Sequence, residues 1–282
     1  MRLASTLLRA LALAAAPLVS AAAQRPASTT TPSGRATVAC RGQLIGTTVI
    51  HSSAPSVANL RRVPAVAAVA RAVHMTTRTE LLRRFLLIDR GDRCDELRRA
   101  ESERILRAQP FIADADVYVV SNEDGTVDLE VHTIDETTIV FGGGVRGRAP
   151  GVTALLLGNA NISGQGIYGS TAWRHGDGFR NGWSARVTDH QFLGKPVTMG
   201  LEGERNPLGG AWRVEGTRPY YTDLQRTAWR VRLGSKLEFV ELRRPDGVRP
   251  LVELDRDFFD VGAIARVGLP GHLGLVGLSL SG

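Results

Sequence analysis

The chain contains one glycine pattern whose spacing could bind a nucleotide. Gly164, Gly166 and Gly169 match GxGxxG, and Asp189 follows about 20 residues later. In dinucleotide-binding domains this pattern follows an apolar parallel strand and opens a helix whose N-terminus holds the pyrophosphate. Here no such strand precedes the glycines, and residues 173–176 (Trp-Arg-His-Gly) do not begin a helix. We therefore expect these glycines to bend strands or turns.

Other arrangements that could support catalysis are also missing from the sequence. No serine lies in a GxSxG elbow, and the 6 histidines show no HExxH or other metal-ligand spacing. Glu101 and Glu103 could form a carboxylate pair, but neighbouring arginines make them ordinary helix ion-pair partners. We expect no catalytic residues, no metal site and no cofactor, and we predict that the protein is not an enzyme.

Residues 1–23 have the composition of a cleavable export signal. Two arginines, an apolar run from Leu11 to Val19 and three alanines precede Gln24. Residues 24–40 are rich in proline, serine and threonine without periodicity, which predicts a flexible leader. No later segment approaches the roughly 20 apolar residues of a spanning helix. An exported chain of this kind can enter a membrane only as a closed β-barrel.

Cys40 and Cys94 have neither CxxC spacing nor a nearby histidine pair, which argues against a zinc site. An even cysteine count in an exported protein favours a disulfide between them. The alternative is two separately buried thiols.

The net charge of +7 lies mainly in the second half of the chain, where basic residues alternate with apolar ones. A nucleic-acid interface would need a clustered basic face and a known motif, so we expect no nucleic-acid partner. Arginines that face a barrel lumen, or that contact anionic lipid headgroups, fit the alternation better.

Residues 41–136 predict one small α+β domain with the element order β-α-α-β-β. Its two predicted helices are an amphipathic segment from Val66 to Val73 and a longer one from about Asp95 to Ala108, with Leu97 and Ile105 on its apolar side. Between them lies an apolar run, Leu81 to Ile88. The predicted strands are Gln43 to His51, Val117 to Ser121 and Val127 to Thr133, the last two joined by a hairpin at Asp124-Gly125.

Residues 137–282 consist of short segments in which apolar and polar residues alternate. In residues 183–188, for example, Trp, Ala and Val alternate with Ser, Arg and Thr, and residues 197–202 and 229–233 behave alike. This is the pattern of an antiparallel transmembrane β-barrel with lipid outside and a polar lumen. A soluble β-sandwich would also alternate, so the prediction depends on the export signal as well.

Motifs in both halves resemble the outer-membrane assembly-factor superfamily of the BamA/TamA type. In the first half, Gly91-Asp92, residues 101–107 (Glu-Ser-Glu-Arg-Ile-Leu-Arg) and residues 111–115 (Phe-Ile-Ala-Asp-Ala) resemble a POTRA domain. In the second half, three motifs resemble the opening strands of the superfamily's surface-antigen barrel. They are residues 158–166 (Gly-Asn-x-Asn-x-x-Gly-x-Gly), 192–196 (Phe-Leu-Gly-Lys-Pro) and 218–223 (Arg-Pro-Tyr-Tyr-Thr-Asp).

The resemblance implies a location in the cell outer membrane, with the POTRA-like domain in the periplasm. The barrel of the family has 16 strands and ends in an aromatic residue, whereas about eight to ten strands of typical length fit before Gly282. We therefore expect an N-terminal fragment whose barrel is incomplete at the C-terminus. Residues 145–147 (Val-Arg-Gly) begin like the family's lumen-loop motif, but they lack its aromatic residue and lie on the first barrel strand.

By the same resemblance, the protein assists insertion of β-barrel proteins into the outer membrane or translocation of polypeptides across it. Its partners would be unfolded outer-membrane or secreted client polypeptides, membrane lipid and, as an open question, accessory lipoproteins. Two alternatives from other classes stay open. One is a passive, porin-like transport barrel, and the other is a membrane-bound hydrolase with its site beyond residue 282.

Two groups of residues are candidates for strand pairing with a client. The first is the predicted sheet edge Val117, Tyr118, Val119, Val120 and Ser121, whose free backbone groups could bind an extended segment. The alternative is an edge that is merely solvated or capped. The second is Gly142, Gly143 and Gly144, which would weaken pairing at a lateral seam between the first and last barrel strands. The alternative is that these glycines accommodate barrel curvature.

Overall fold

The computed structural model describes residues 30–32, 34–55, 75–145, 152–176, 180–242, 247, 249–269 and 272–282. The predicted export signal and the helix predicted from Val66 to Val73 lie outside these residues. The described chain forms an N-terminal unit, residues 30–136, and a nine-stranded sheet that follows it.

The N-terminal unit is a mixed three-stranded sheet covered by helices. Its elements are β1 (Ile45–Ser53), α1 (Thr79–Arg83), α2 (Glu96–Arg107), β2 (Ile112–Ser121) and β3 (Val127–Asp135). The strand order is β1-β3-β2, with β1 parallel and β2 antiparallel to β3. The three strands and α2 overlap the segments predicted for them, although β2 begins at Ile112 rather than at Val117. Helix α1 was not predicted as a helix, since it overlaps the start of the apolar run Leu81 to Ile88.

Local interactions explain where α2 begins and ends. The Asp95 side chain accepts a hydrogen bond from the Arg98 amide, which caps the helix. Ion pairs of Arg99 with Glu96 and Glu103 support the exposed side. Pro110 follows the last turn and cannot continue the helix.

The core of the N-terminal unit lies between its sheet and its helices. Leu82 and Leu106 from the helices pack with Phe111, Leu129 and Val131, and all five side chains are fully buried. Such burial contributes roughly 1.5 to 3 kcal/mol for each large apolar side chain. The core therefore holds α1 and α2 against one face of the sheet.

A disulfide joins Cys40 to Cys94, with the two Cα atoms 5.2 Å apart. It connects the end of the leader to the loop before α2 across a sequence separation of 54 residues. Cys94 is buried in the core, so the crosslink fixes the leader's C-terminal end to the N-terminal unit.

The described half of the leader, residues 30–40, packs on this sheet instead of projecting from it. Thr30 and Ala36 form an antiparallel bridge, and Thr37 bridges to Val120 of β2. Although the leader has no apolar periodicity, its backbone hydrogen bonds hold it in place. This part of the predicted flexible leader thus has defined contacts.

The remaining strands form one antiparallel sheet in which every strand pairs with its chain neighbours. Its strands are β4 (Ile139–Val145), β5 (Val152–Ile162), β6 (Ile167–Arg174), β7 (Gly182–Asp189), β8 (Thr198–Arg205), β9 (Gly210–Arg218), β10 (Thr227–Glu241), β11 (Leu251–Leu269) and β12 (His272–Ser281). β4 and β12 are its two edges. Within the described residues the sheet is antiparallel, as the sequence predicted, and it is open, so barrel closure stays a prediction.

The register of this sheet separates an apolar face from a charged face. Leu201 of β8 lies opposite Val187 on one side and Val214 on the other. On the other face, Arg213 pairs with Glu202, and Arg232 pairs with Glu215. The alternation predicted from the sequence is therefore present as two chemically different surfaces. Among the described residues, no helix is long and apolar enough to cross a bilayer.

Candidate functional site

Three turns of the nine-stranded sheet contact the N-terminal unit. They are residues 163–166 between β5 and β6, 190–197 between β7 and β8, and 219–226 between β9 and β10. Alternate turns of an up-and-down sheet lie at the same end, because each strand reverses direction. We call these segments the docking turns, and the surface that they bury is the candidate functional site.

The first docking turn approaches the backbone before α1 closely. The Arg78 amide donates to the Gly164 carbonyl oxygen at 3.0 Å, and the Arg78 Nε donates to the Ser163 carbonyl oxygen at 3.2 Å. Gly164 has a φ of 68°, and a Cβ at this position would overlap the Thr76 carbonyl oxygen. Only glycine fits this turn without strain or displacement.

A chain of buried polar groups runs from the N-terminal unit into the same turn. The Asn161 Nδ2 donates to Thr77 Oγ1 at 2.7 Å, and the Asn161 Oδ1 accepts from the Gly166 amide at 2.7 Å. The Thr77 amide in turn donates to Asp135 at 2.8 Å, and the Ser52 hydroxyl donates to the other Asp135 oxygen at 3.2 Å. Asn161 is only 1% exposed, so its hydrogen bonds form away from competing water.

The second docking turn adds a buried amide and an aromatic contact. The Gln191 Nε2 donates to the Leu81 carbonyl oxygen at 3.3 Å, and the His190 ring lies 5.9 Å from the Phe111 ring. Burial lowers the pKa of His190, with a smaller contribution from Arg186, while Asp189 opposes the shift. His190 is therefore favoured in its neutral form at the interface.

The third docking turn lies between α2 and β11. The Tyr221 ring packs edge-on against Phe85 at 6.3 Å, and the Arg104 guanidinium donates to the Tyr221 carbonyl oxygen. From the sheet side, Arg266 donates to the Thr222 carbonyl oxygen at 2.8 Å and lies 3.9 Å from the centre of the Tyr220 ring. The turn is thus held from both sides.

Electrostatics support the same contact on the α2 side. The Arg104 guanidinium lowers the pKa of Glu101, and hydrogen bonds from Thr222 and Asp223 lower it further against the effect of burial. Glu101 therefore stays ionised where the third docking turn meets the helix.

The chemistry available at this interface is packing and hydrogen bonding. Within the described residues, no group of three or more His, Cys, Asp or Glu side chains could hold a metal ion. Three separate contacts prevent the N-terminal unit from rotating about any one of them. The arrangement therefore fixes the orientation of the unit on the sheet.

The predicted client-binding residues lie in β2, at an edge of the three-stranded sheet. Parts of that edge are occupied by the chain itself. The Val117 carbonyl oxygen accepts from Arg99 Nη1 at 2.7 Å, and the Val117 amide donates to Glu103 Oε2 at 3.2 Å. The Val38 amide donates to the Val119 carbonyl oxygen at 2.9 Å. Client binding at β2 stays a prediction.

The predicted seam glycines lie in β4, an edge strand of the nine-stranded sheet. Gly142, Gly143 and Gly144 pair with Leu156, Leu155 and Ala154 of β5. They line a shallow hollow whose other walls include Trp173 and Trp183. The two predicted sites thus belong to different sheets, and the role of the glycines as a seam stays a prediction.

Sequence reasoning did not identify the docking interface, although it singled out its residues. The three motifs assigned to opening barrel strands at residues 158–166, 192–196 and 218–223 overlap the three docking turns. Their signal was the concentration of Gly, Asn and Tyr at the ends of alternating segments. What the sequence could not provide was the partner surface that these turns contact.

Fold and site together define a two-part protein, in which a small α+β unit docks on one end of an antiparallel sheet with one apolar face. No family model matches the sequence, and the comparison with curated proteins finds no match. Among solved structures, the chain is similar to the crystal structure of BamA from Haemophilus ducreyi lacking POTRA domains 1–3, at 13% identity and a TM-score of 0.40. The similarity covers 77% of this chain and 44% of that one, so the chain spans less than half of its length.

Substitution of Gly164 tests the close approach at the first docking turn. Gly164→Ala places a Cβ against the Thr76 carbonyl oxygen at a positive φ, so we expect the interface to weaken by about 1 to 3 kcal/mol. The readout is hydrogen exchange of the Arg78 amide, which bonds to Gly164 in the intact protein. The matched control is Gly203→Ala, where a Cβ meets nothing within 4 Å. Unchanged protection of Arg78 in Gly164→Ala would contradict this account.

Acidification should also weaken the interface, because the folded protein lowers the pKa of His190. Below the ordinary histidine pKa of about 6.5 the unfolded chain binds the proton more readily, so stability falls as the pH decreases. We expect the protection factor of the Arg78 amide, corrected for intrinsic exchange, to drop between neutral pH and about pH 5. His190→Phe should remove this dependence and His175→Phe, an exposed residue at the other end of the strands, should retain it. Equal pH profiles in both variants would show that His190 is not responsible.

Proposed function

We propose that the chain is an outer-membrane protein of the assembly-factor type, with a POTRA-like unit in the periplasm and a sheet that forms part of a barrel. In this role it helps insert barrel proteins into the outer membrane or move polypeptides across it. The observation that carries the proposal is the continuous apolar face of the nine-stranded sheet.

That face extends across strands in matched register. Leu201 lies opposite Val214, Val214 opposite Leu233, and Leu233 opposite Phe259. Leu201, Leu233 and Phe259 are exposed, and exposure reaches 69% for Phe141 on β4 and 86% for Leu278 on β12. An exposed apolar surface of this extent marks an interaction site on a soluble protein, whereas lipid would cover it in a bilayer.

The charged face supports the same proposal. Arg230 pairs with Asp260 at 3.0 Å, and the Arg213–Glu202 and Arg232–Glu215 pairs continue the row on neighbouring strands. Charged side chains of alternating sign suit a water-filled lumen, and they are costly when they face lipid. The two faces therefore assign lipid and lumen to opposite sides of the sheet.

The N-terminal unit supports placement on one side of the membrane. The chain passes from β3 into β4 through residues 136–138, at the end of the sheet that carries the docking turns. Its mixed three-stranded sheet, with β2 at an edge, supports our proposal of a POTRA-like unit. An exported chain with this connection presents the unit to the periplasm.

Strand exchange is the mechanism that these parts support for client handling. β4 is an edge strand, and its glycines contribute no side-chain packing to the pairing with β5. An incoming client strand could satisfy backbone groups at such an edge. Binding and folding of the client would drive the reaction, so the mechanism requires no nucleotide or cofactor.

A pair of charge substitutions tests the assignment of the two faces. Leu201→Arg places a guanidinium on the apolar face, and we expect it to destabilise the protein in lipid vesicles by about 2 to 4 kcal/mol. Gly200→Arg, one residue away on the charged face, is the matched control, because a Cβ there meets only ordinary contacts. The measurement is the urea midpoint of unfolding from vesicles. Equal effects of the two substitutions would refute a lipid-facing Leu201.

Depletion of the full-length protein in its host tests the assembly role. We expect the outer-membrane levels of other barrel proteins to fall while their unfolded forms accumulate in the periplasm, because the proposed insertion step is lost. Quantitative proteomics of separated outer membranes measures the change, and expression of the intact gene provides the control. Unchanged barrel levels together with altered solute uptake would instead identify a transport barrel.

A further inference from the structure

We propose that leader residues 35–38 are a built-in strand that occupies the outer edge of β2 and must leave before an extended client segment can pair there. This inference rests on the proposed function, because it assigns a regulated client-binding edge to the N-terminal unit. It defines what occupies that edge in the resting protein.

The backbone contacts are those of an added antiparallel strand. Thr37 forms an antiparallel bridge with Val120, and the Val38 amide donates to the Val119 carbonyl oxygen at 2.9 Å. Both β2 residues belong to the edge that the sequence singled out for client pairing. The leader therefore uses the backbone groups that strand addition by another chain would need.

An electrostatic contact fixes the N-terminal end of this strand. The Arg35 guanidinium pairs with Glu130 at 2.8 Å and Asp128 at 3.4 Å, and it donates to the Asn122 Oδ1 at 3.3 Å. The Glu130 side chain is only 4% exposed, so a cation beside it matters more than at an exposed carboxylate. Thr31 helps to position Arg35, since the Thr31 amide donates to the Arg35 carbonyl oxygen at 2.8 Å.

The disulfide fixes the other end. Cys40 follows the strand by two residues and is bonded to Cys94 in the core. A segment tethered at this distance stays at high effective concentration near the β2 edge, even when its hydrogen bonds open. The leader can therefore leave the edge and return without being lost from it.

The same contacts make the leader displaceable. The side chains of Ala36, Val38 and Ala39 are exposed, so the segment buries little apolar area. It pairs near the end of β2, whereas the hydrogen bonds of Val117 are made by side chains of Arg99 and Glu103 rather than by a strand. A longer extended segment would gain hydrogen bonds that the leader does not make.

The acidic groups that pair with Arg35 indicate which extended segments would compete best with the leader for the β2 edge. Removal of the leader leaves Glu130 and Asp128 without the guanidinium that now pairs with them. The preferred occupant is therefore an extended segment with an arginine or lysine three residues before its first amide that bonds to β2. Arg35 and Val38 show this spacing in the leader itself.

A proline substitution in the full chain, held in detergent micelles, tests the proposal. Val38→Pro removes the amide that bonds to Val119 but keeps Arg35 and the disulfide. Ala39→Pro is the matched control, because the Ala39 amide donates no hydrogen bond to any other residue that the structure describes. The probe is a fluorescent synthetic peptide with the sequence of residues 34–39 (Gly-Arg-Ala-Thr-Val-Ala).

We expect Val38→Pro to bind this peptide about tenfold more tightly than either the unmodified protein or Ala39→Pro, a difference of about 1.4 kcal/mol. Hydrogen exchange over residues 117–121 should be faster in Val38→Pro and should slow again when the peptide is added. A peptide with glutamate in place of its arginine should not bind.

Two results would overturn the inference. One is equal peptide binding by all three proteins. The other is faster hydrogen exchange in Val38→Pro without peptide binding, which would mean that the leader only shields the β2 edge from solvent and does not compete with a binding segment. The result of the peptide-binding experiment is independent of the result of the depletion experiment. A positive peptide result with unchanged barrel levels would refute the assembly role alone.

Discussion

The buried hydrogen bonds of Asn161 are the interaction on which the rest of the structure depends. They connect the β5–β6 turn to Thr77, which is itself held by Asp135 at the end of β3. A buried amide left without partners costs about 1 to 3 kcal/mol, so this turn has a strong preference for one position on the N-terminal unit. The other two docking turns belong to the same sheet and make their own contacts with the N-terminal unit at Gln191 and Tyr221.

The fixed contact with the N-terminal unit makes the two ends of the nine-stranded sheet different. The apolar and charged faces alone do not distinguish the two ends of the strands. The N-terminal unit does so, because it is a folded body attached through three turns at a single end. The two faces of the sheet and the orientation of β2 are thereby linked through one interface.

Much of the fold follows from local sequence rules, and the exceptions have physical causes. The α2 boundaries, the hairpin at Gly125 and the alternation of residues 183–188 all arise from capping, turn geometry and pleat, which neighbouring residues determine. The early start of β2 does not follow from local rules, because Asp114 and Asp116 are poor strand formers. Arg107 of α2 forms ion pairs with both aspartates and so stabilises this part of the strand. The predicted apolar side of α2 also differs. Leu97 is exposed while Ser102 is buried, because the Ser102 hydroxyl bonds to the Leu87 amide. The docking interface joins residues more than 80 positions apart, and periodicity carries no information at that range.

The Cys40–Cys94 bond has a consequence for the order of events in the life of the chain. A disulfide of this kind forms only in an oxidising compartment. Before oxidation, the leader would be attached to the N-terminal unit only by its hydrogen bonds and by the ion pairs of Arg35. In the exported protein that we propose, oxidation would therefore decide when the leader becomes permanently tethered beside β2.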